Sequence, residues 1–313
     1  MSVTITSAYV GEALDMMLVR ATTGNEIVER GLIRVEPGIK GDFHIPCLKV
    51  SNVLQKRKEQ PNSENSKGDV KIDEYILSPR EVMAYMEFNP RSFEKIWRPF
   101  QPTGELVFAE LPDNVKGALL DELAKSASFE LGQHIINGVY AEGADDTKLF
   151  DGILTRIKKS TETIKIMAPV AITTGNVIDT FKAIYSKIPK AIRGHKSLRF
   201  LMSIEDFDKY DDALSALPNK GTAYTDTNAK RFKGVTIEAI AAWPSNAVIA
   251  VIASNDIDSN LWMGVSEIAD MSTVKVALVS NAGEKYFFKM LIKVDTNVPF
   301  CDQVVLYDGR TAE

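Results

Sequence analysis

Hydrophobic and polar residues along this chain follow two periods. From residue 113 onward, Val115, Leu119, Leu123, Ala127, Leu131, Ile135 and Val139 recur every four positions, with Leu120, Ala124 and Ile136 beside them. That spacing predicts one amphipathic helix over residues 113–141, about 40 Å long, whose apolar stripe precesses slowly along its length. Pro112 cannot continue a preceding helix, and Asp113 can cap the exposed N–H groups of the next, so the start is well marked. A rod of that length outspans a small core and has to lie across several packing partners.

Elsewhere the period is two. Leu32, Arg34 and Glu36 alternate, and after Pro37-Gly38 the residues Phe43, Ile45 and Cys47 share one face, the pattern of a half-exposed strand. A second strand pattern covers residues 70–88, with Val70, Ile72, Tyr75, Ile76, Val82, Ala84, Met86 and Phe88 at short spacing. Between the two, residues 55–69 contain almost nothing a core could use, which predicts the solvated tip of a long hairpin. A two-stranded ribbon of that reach has no face to bury alone. It needs a partner, and a neighbouring subunit is the readiest one. Upstream, Val10, Leu14, Met17 and Leu18 predict a short amphipathic helix in an N-terminal arm. Asn89-Pro90 opens another short helix through Trp97, ending before Pro99.

Past the long helix, strand and helix signals alternate. Residues 163–168 read as a strand. Thr174 is placed to cap a helix over 175–188, with Val177, Ile178, Phe181, Ile184, Tyr185 and Ile188 on its buried side and Pro189 as the stop. A strand over 198–202 leads to Ser203 with Asp206 three residues on, the spacing of a capping box, and a helix to about Leu214. This alternation predicts an α/β subdomain. From Gly234 the signal is strand only: GVTIEAI, AVIAVIAS, LWMGV, VKVALV, EKYFFKMLIKV and DQVVLYD, with Asn281-Ala282-Gly283 as a tight hairpin turn.

Composition narrows the function classes. With 313 residues, 45% of them hydrophobic and 25% charged, the chain can bury a substantial core. No apolar run is long enough to span a bilayer, and the first residues lack the regions of a signal peptide, so no membrane partner is expected. Cys47 and Cys301 are too few for a disulfide framework or thiolate metal site and read as small buried hydrophobes. A net charge of −5 argues against a dedicated basic surface for gripping nucleic acid. No phosphate-cradling loop, dinucleotide fingerprint, metalloprotease motif or nucleophile elbow is present. His44, His134 and His195 lie on three different elements, with His134 read as a packing or interface residue. The acids of residues 205–212 read as a solvated face at a helix opening, and residues 255–260 as a polar turn. No catalytic residue, cofactor or metal is expected, and the chain is not read as an enzyme.

The long helix, the small-residue exit Asn137-Gly138 and Glu142-Gly143-Ala144, and then Phe150-Asp151-Gly152-Ile153-Leu154 resemble the spine helix and following turn of tailed-phage major capsid proteins of the Hong Kong 97 type fold. The order of elements on both sides agrees, as does the stretch from Lys233-Gly234-Val235-Thr236-Ile237 through Trp243-Pro244 to the strand at 247–253. The resemblance implies an α+β fold in four parts. Residues 1–36 would form an N-terminal arm, and 37–88 the extended hairpin loop lying over an adjacent subunit. A peripheral domain would take 89–168 and 262–298, with a spine helix over 113–141. An axial domain would take 169–261 and 299–313, its tip loop near 219–230 at the capsomer centre.

The resemblance implies a head protein that self-assembles into pentamers and hexamers of an icosahedral shell around double-stranded DNA, in a virion put together in the bacterial cytoplasm. Its partners would be itself, the packaged DNA through non-specific contact, and scaffolding, portal and decoration proteins. An encapsulin-like compartment shell and a soluble two-domain α/β enzyme are the alternatives. The subunit interface would include Gln55, Lys56, Arg57, Lys58 and Lys67 on the loop and Asn281 and Glu284 at the hairpin. Some capsids of this fold join a loop lysine to a neighbour's hairpin asparagine with a carboxylate as proton acceptor; exposed lysines are commonplace, so a plain solvated surface is the competing reading of these cations.

Overall fold

The structure is a computed structural model that describes residues 26–39, 41–57, 59, 67–89, 113–143, 147–216, 230–266, 275–280 and 285–310. The arm helix near residues 10–18, the short helix at 90–97, the tip loop at 219–229 and the turn at 281–283 lie outside the described residues. A helical turn at Glu26–Glu29 is followed by β1 (Arg34–Glu36), β2 (Phe43–Ser51), β3 (Asp69–Leu77) and β4 (Arg80–Phe88). Then come α1 (Asp113–Asn137), α2 (Ile153–Lys159), β5 (Ile164–Lys165), α3 (Val177–Lys187), β6 (Leu198–Ser203) and α4 (Ile204–Ser215). The chain ends with β7 (Arg231–Phe232), β8 (Val235–Ile240), β9 (Ala247–Ile252), β10 (Trp262–Val265), β11 (Lys275–Leu278), β12 (Tyr286–Asn297) and β13 (Val305–Asp308).

Among the described residues the strands form a six-stranded sheet in the order β5-β13-β9-β6-β8-β7, a five-stranded sheet centred on β12, and the two-stranded ribbon β2-β3. The unbroken apolar run of β9 is explained by its place in the middle of the larger sheet. Ala247, Ile249 and Val251 face one core and Val248, Ala250 and Ile252 the other, so alternation of buried with exposed cannot appear. The second core lies under α3 and α4, where the rings of Phe181 and Phe200 meet edge to face at 5.1 Å. The first core runs on from the six-stranded sheet, through α1 and α2, to β10 and β12, and so joins the two sheets.

β12 does show the half-exposed pattern. Tyr286, Phe288, Met290 and Ile292 are buried toward α1, with Phe287, Lys289, Leu291 and Lys293 between them on the other face. Tyr286 to Lys289 pair with both β4 and β11, and Val294 with both β4 and β10. A strand has two edges, so β10 and β11 lie end to end along one edge of β12 and β4 along the other. The strand expected over 70–88 is therefore two strands. The chain breaks at Ser78-Pro79, where proline cannot donate to a ladder. β3 stays in the ribbon and β4 enters the five-stranded sheet, which also takes β1 as the parallel neighbour of β10. β5 likewise pairs with β13 in the six-stranded sheet.

Helix α1 is 25 residues long, about 37 Å, and stops at Asn137, short of the expected end at 141. Leu131, Ile135 and Ile136 are buried, whereas Val139 lies beyond the helix and is 46% exposed. The stop is made by backbone packing. Gly152 N–H donates to the Gly138 carbonyl at 2.9 Å, and Thr155 Oγ1 donates to the same oxygen at 2.6 Å. A Cβ on Gly138 would lie 2.5 Å from the His134 oxygen, and one on Gly152 would lie 2.5 Å from that oxygen and 2.6 Å from the Gly138 nitrogen. Only glycine permits this approach. Two local expectations also change. Asn176, not Thr174, takes the position before α3, and its Oδ1 accepts from Thr173 N–H at 2.7 Å. Ser203 does cap α4 by accepting from Asp206 N–H at 3.1 Å. Asp206 does not reciprocate: it is fully buried, accepts from Asn246 N–H and pairs with Lys209, so this acid is no part of a solvated face.

Replacing Gly152 by Ala is expected to cost about 3 kcal/mol, because the backbone atoms that a methyl would strike cannot swing aside. Gly194→Ala, where the added carbon meets nothing within 4 Å, should be near neutral. Urea unfolding of the two variants beside the parent decides the matter; equal midpoints would refute the close-approach account.

Candidate assembly surface

The ribbon β2-β3 pairs Phe43 with Leu77 at its root and Ser51 with Asp69 at its outer end. Nine residues per strand give it a reach of about 30 Å. One face is anchored: Ile45, Cys47 and Leu77 are buried with Ile39 and Trp262 in a small core that Phe43, Tyr75 and Phe300 border. Gly264 on β10 makes room for it, since a Cβ there would lie 2.7 Å from Ile39 Cδ1. Burial also pushes the Cys47 thiol up, more than the Lys49 charge lowers it, and the side chain packs as the small buried hydrophobe the sequence predicts.

Among the described residues the other face has no such partner. Beyond the His44–Glu74 contact at 3.1 Å, Leu48 stands directly opposite Ile72 and Val50 opposite Val70. These four are 62%, 67%, 51% and 62% exposed, and Leu54 past the end of β2 is 96% exposed. Contiguous apolar side chains on a lone ribbon mark a surface made to be covered. Of the residues singled out in the sequence, Gln55, Lys56, Arg57 and Lys67 are all exposed around the outer end of this ribbon. Lys58, Asn281 and Glu284 lie outside the described residues.

The strand that carries both features separates them. The β11–β12 turn closes at the Tyr286 end of β12, with Val279 N–H donating to the Lys285 carbonyl at 2.9 Å. The ribbon leaves from the opposite end, where Asn297 Nδ2 donates to the Ile76 carbonyl at 2.8 Å and Ser78 N–H donates to Asp295 Oδ2 at 2.9 Å. The two departure points are about 30 Å apart along the strand.

Asp295 ties the root together. Its side chain is 4% exposed, and its second oxygen accepts from Arg156 Nη2 at 2.7 Å, so one carboxylate joins β12, α2 and the bend between β3 and β4. Burial pushes its carboxyl above the usual range, against the pull of the Arg156 charge and of the N–H groups it accepts from. Asp151 goes the other way. Burial raises it, but hydrogen bonds from Lys159 and Tyr140 N–H, with the Lys159 and Arg156 charges, together hold it below the usual carboxylate range. Asp308 behaves alike, its burial outweighed by Arg310 and Lys158. None of these pairings was legible in the sequence.

An open groove of about 420 Å³ lies between the end of α1 and the turn after β8, lined by Gln133, His134, Asn137, Trp243 and Ser245 among others. His134 is half-buried there, and burial lowers its pKa, opposed by the Glu130 charge. His195 pairs with Asp258 at 3.2 Å in the turn read as polar, and Asp258 accepts from Ser254 Oγ at 3.1 Å. Among the described residues no three His, Cys, Asp or Glu side chains are grouped to hold a metal ion, and no helix is long and apolar enough to cross a membrane.

No protein-family profile and no curated protein matches the chain by sequence. Solved structures match it by shape. The procapsid of satellite phage P4 with its size determination protein is 10% identical, covers 99% of this chain and 95% of its own, and has a TM-score of 0.66. A virus-like particle from Pyrococcus furiosus is 10% identical with 95% and 98% covered and a TM-score of 0.56. The capsid of Myoviridae phage XM1 is 12% identical with 90% and 91% covered, also at 0.56. The fold is therefore α+β of the Hong Kong 97 capsid type, over nearly the whole chain.

Asp295→Ala is expected to destabilise the subunit by about 2–3 kcal/mol, below the loss for a fully enclosed ion pair because Arg156 remains partly in water; urea midpoints measure it. Asp151 and Asp308 have folded pKa values below the unfolded 3.8, so their stabilisation is complete above about pH 4 and fades as pH falls through the folded values. Asp295, raised, favours folding below 3.8 and loses that preference as pH rises. Asp151→Asn should thus be less stable than the parent at pH 6 and approach it near pH 2, read from urea titrations across that range.

Proposed function

We propose that this chain is the major capsid protein of a tailed phage, self-assembling into pentamers and hexamers of an icosahedral shell that encloses double-stranded DNA. The observation that carries the reading is the ribbon: a protein of capsid fold that holds out an anchored hairpin whose outer face exposes four paired apolar side chains. In the assembled shell that face would lie over the next subunit. The five-stranded sheet with α1 would form the peripheral part, and the six-stranded sheet with α3 and α4 the axial part, whose tip over residues 219–230 meets its copies at the capsomer centre. A covalent variant of this contact would join Lys56, Lys58 or Lys67 on the loop to Asn281 on a neighbour's hairpin, with Glu284 as the proton acceptor. Packaged DNA, scaffolding, portal and decoration proteins are the further partners in this reading, and the virion is the place of residence.

Many modest contacts repeated by symmetry close a shell even where each is weak, because linked binding events reinforce one another. Purified, overexpressed protein should form closed particles by negative-stain microscopy; a compact monomer at high concentration would overturn the proposal. Particles filled with a protein cargo and free of DNA would favour a compartment shell. Deleting residues 56–68, or making Leu48→Glu with Ile72→Glu, should leave a folded subunit with unchanged circular dichroism that forms no closed particles. Normal shells from both variants would show that the ribbon is dispensable.

A further inference from the structure

Charge is unevenly placed on the six-stranded sheet. β6 and β8 run parallel, so their first residues, Leu198 and Val235, lie at the same end. α3 finishes there too. The turn after it is pinned by Arg193, whose Nε donates to the Ile188 carbonyl at 2.9 Å and whose Nη2 donates to the Ser186 carbonyl at 2.8 Å. The β7–β8 turn meets it on the Tyr185 ring, with Lys233 Nζ at 4.8 Å and Arg193 Cζ at 5.3 Å from the centroid. Lys187, Lys190, Lys196 and Lys233 are exposed around this point, and no acid occurs in sequence between Asp179 and Glu205. Among the described residues no carboxylate stands in ion-pair range of these four. The turn after β9 shares this end and carries Asp256 and Asp258, the latter paired with His195, so four exposed lysines stand here against two acids on a chain of net charge −5.

α4 begins at the other end of the sheet, where Asp206 accepts from Asn246 N–H in the turn between β8 and β9. Glu205, Asp208 and Asp212 follow at steps of three and four, so they form one stripe along the helix, all exposed. A dipole effect accounts for Glu205 in the first turn but fades before Asp212. Neighbouring like charges on one helix face weaken it modestly per pair, and the exposed lysines gather like charge at the other end. Both surfaces are disfavoured in the lone subunit and complementary to each other.

We propose, building on the capsid reading above, that in a capsomer the basic end around Lys190 and Lys196 of one copy contacts the acidic stripe Glu205, Asp208 and Asp212 of the next. A ring closes through a head-to-tail contact between two different patches, which is what this pair supplies. A nucleic acid is the less fitting occupant of the basic end, because the overall acidity of the chain works against a polyanion and the complementary stripe is present on every copy.

Charge reversal in the full chain tests the contact. Lys190→Glu with Lys196→Glu, and separately Asp208→Lys with Asp212→Lys, should each lower the yield of closed particles by about tenfold at moderate salt, with the thermal midpoint of the subunit unchanged. Combining all four substitutions should bring the yield back to within about threefold of the parent. Mixed one to one, the two doubly reversed proteins can alternate around a ring of six but not of five, so hexamers without closed shells are expected. The contact is refuted if either reversal assembles like the parent, or if the combined variant is as defective as its parts. Particles of normal yield that lose DNA only in the lysine variant would assign the basic end to nucleic acid instead. Failure of the parent itself to assemble would refute the capsid reading, a result separate from any of these.

Discussion

The backbone contact between Gly138 and Gly152 fixes the placement of the parts around it. By letting two main chains meet without Cβ atoms between them, it ends the long helix and seats the start of α2 against that end. That seating sets α2 against β12, with Ile153, Leu154 and Ile157 in the shared core and Arg156 brought to Asp295. Asp295 in turn holds Ser78 at the bend where the ribbon returns to the sheet. The direction of a hairpin about 30 Å long is thus determined by two glycines far from it in sequence. A small rotation at the root would be magnified along that lever, which gives a reason for securing it with a buried, charge-assisted pair whose own net contribution to stability is modest.

The same lever explains why the subunit tolerates exposed apolar surface. Root and tip of the ribbon obey opposite requirements. At the root, Ile45, Cys47 and Leu77 are buried against Trp262, so the ribbon is held by the body of the protein. At the tip, Leu48, Val50, Val70 and Ile72 stay in water, where each costs about 1–2 kcal/mol relative to burial. A chain selected only for monomer stability would carry polar residues at those four positions, since nothing in the ladder needs them apolar.

Much of this was readable from the residues, and the misses have physical causes. The strands were legible because β9 and β12 carry the two burial patterns a strand can have, a continuous apolar run and a strict alternation. Ser203 was legible because a cap acts within one turn. The ribbon's reach was overestimated by the run of β-formers past Pro79, although that proline marks the break into two sheets. The end of α1 was misplaced because Val139 continues the stripe in sequence while Gly138 ends the helix in space, and the partner that forces the stop, Gly152, is fourteen residues on. Asp295 with Arg156, and His195 with Asp258, join residues separated by 139 and 63 positions, and pairings of that kind leave no local trace. Asp206 was misread for the same reason: an acid in a first helical turn has a sufficient local explanation, and its burial against Asn246 depends on a turn forty residues away.

With 10–12% identity to capsids that share its shape, the chain keeps the fold with few residues in common. That is what its physics predicts. The cores need apolar residues of fitting volume at given periods, a requirement many sequences meet. Close backbone approaches need glycine, but at few positions. Surfaces between copies are constrained in a different way, since any complementary pair serves as long as both halves change together, and every copy carries both halves. A shell subunit can therefore drift far in sequence while its tile shape persists. In the shell role proposed above, the residues that specify its partners are to be sought in charge and apolar patches unexplained by the isolated fold, as on the ribbon tip and at the two ends of the six-stranded sheet.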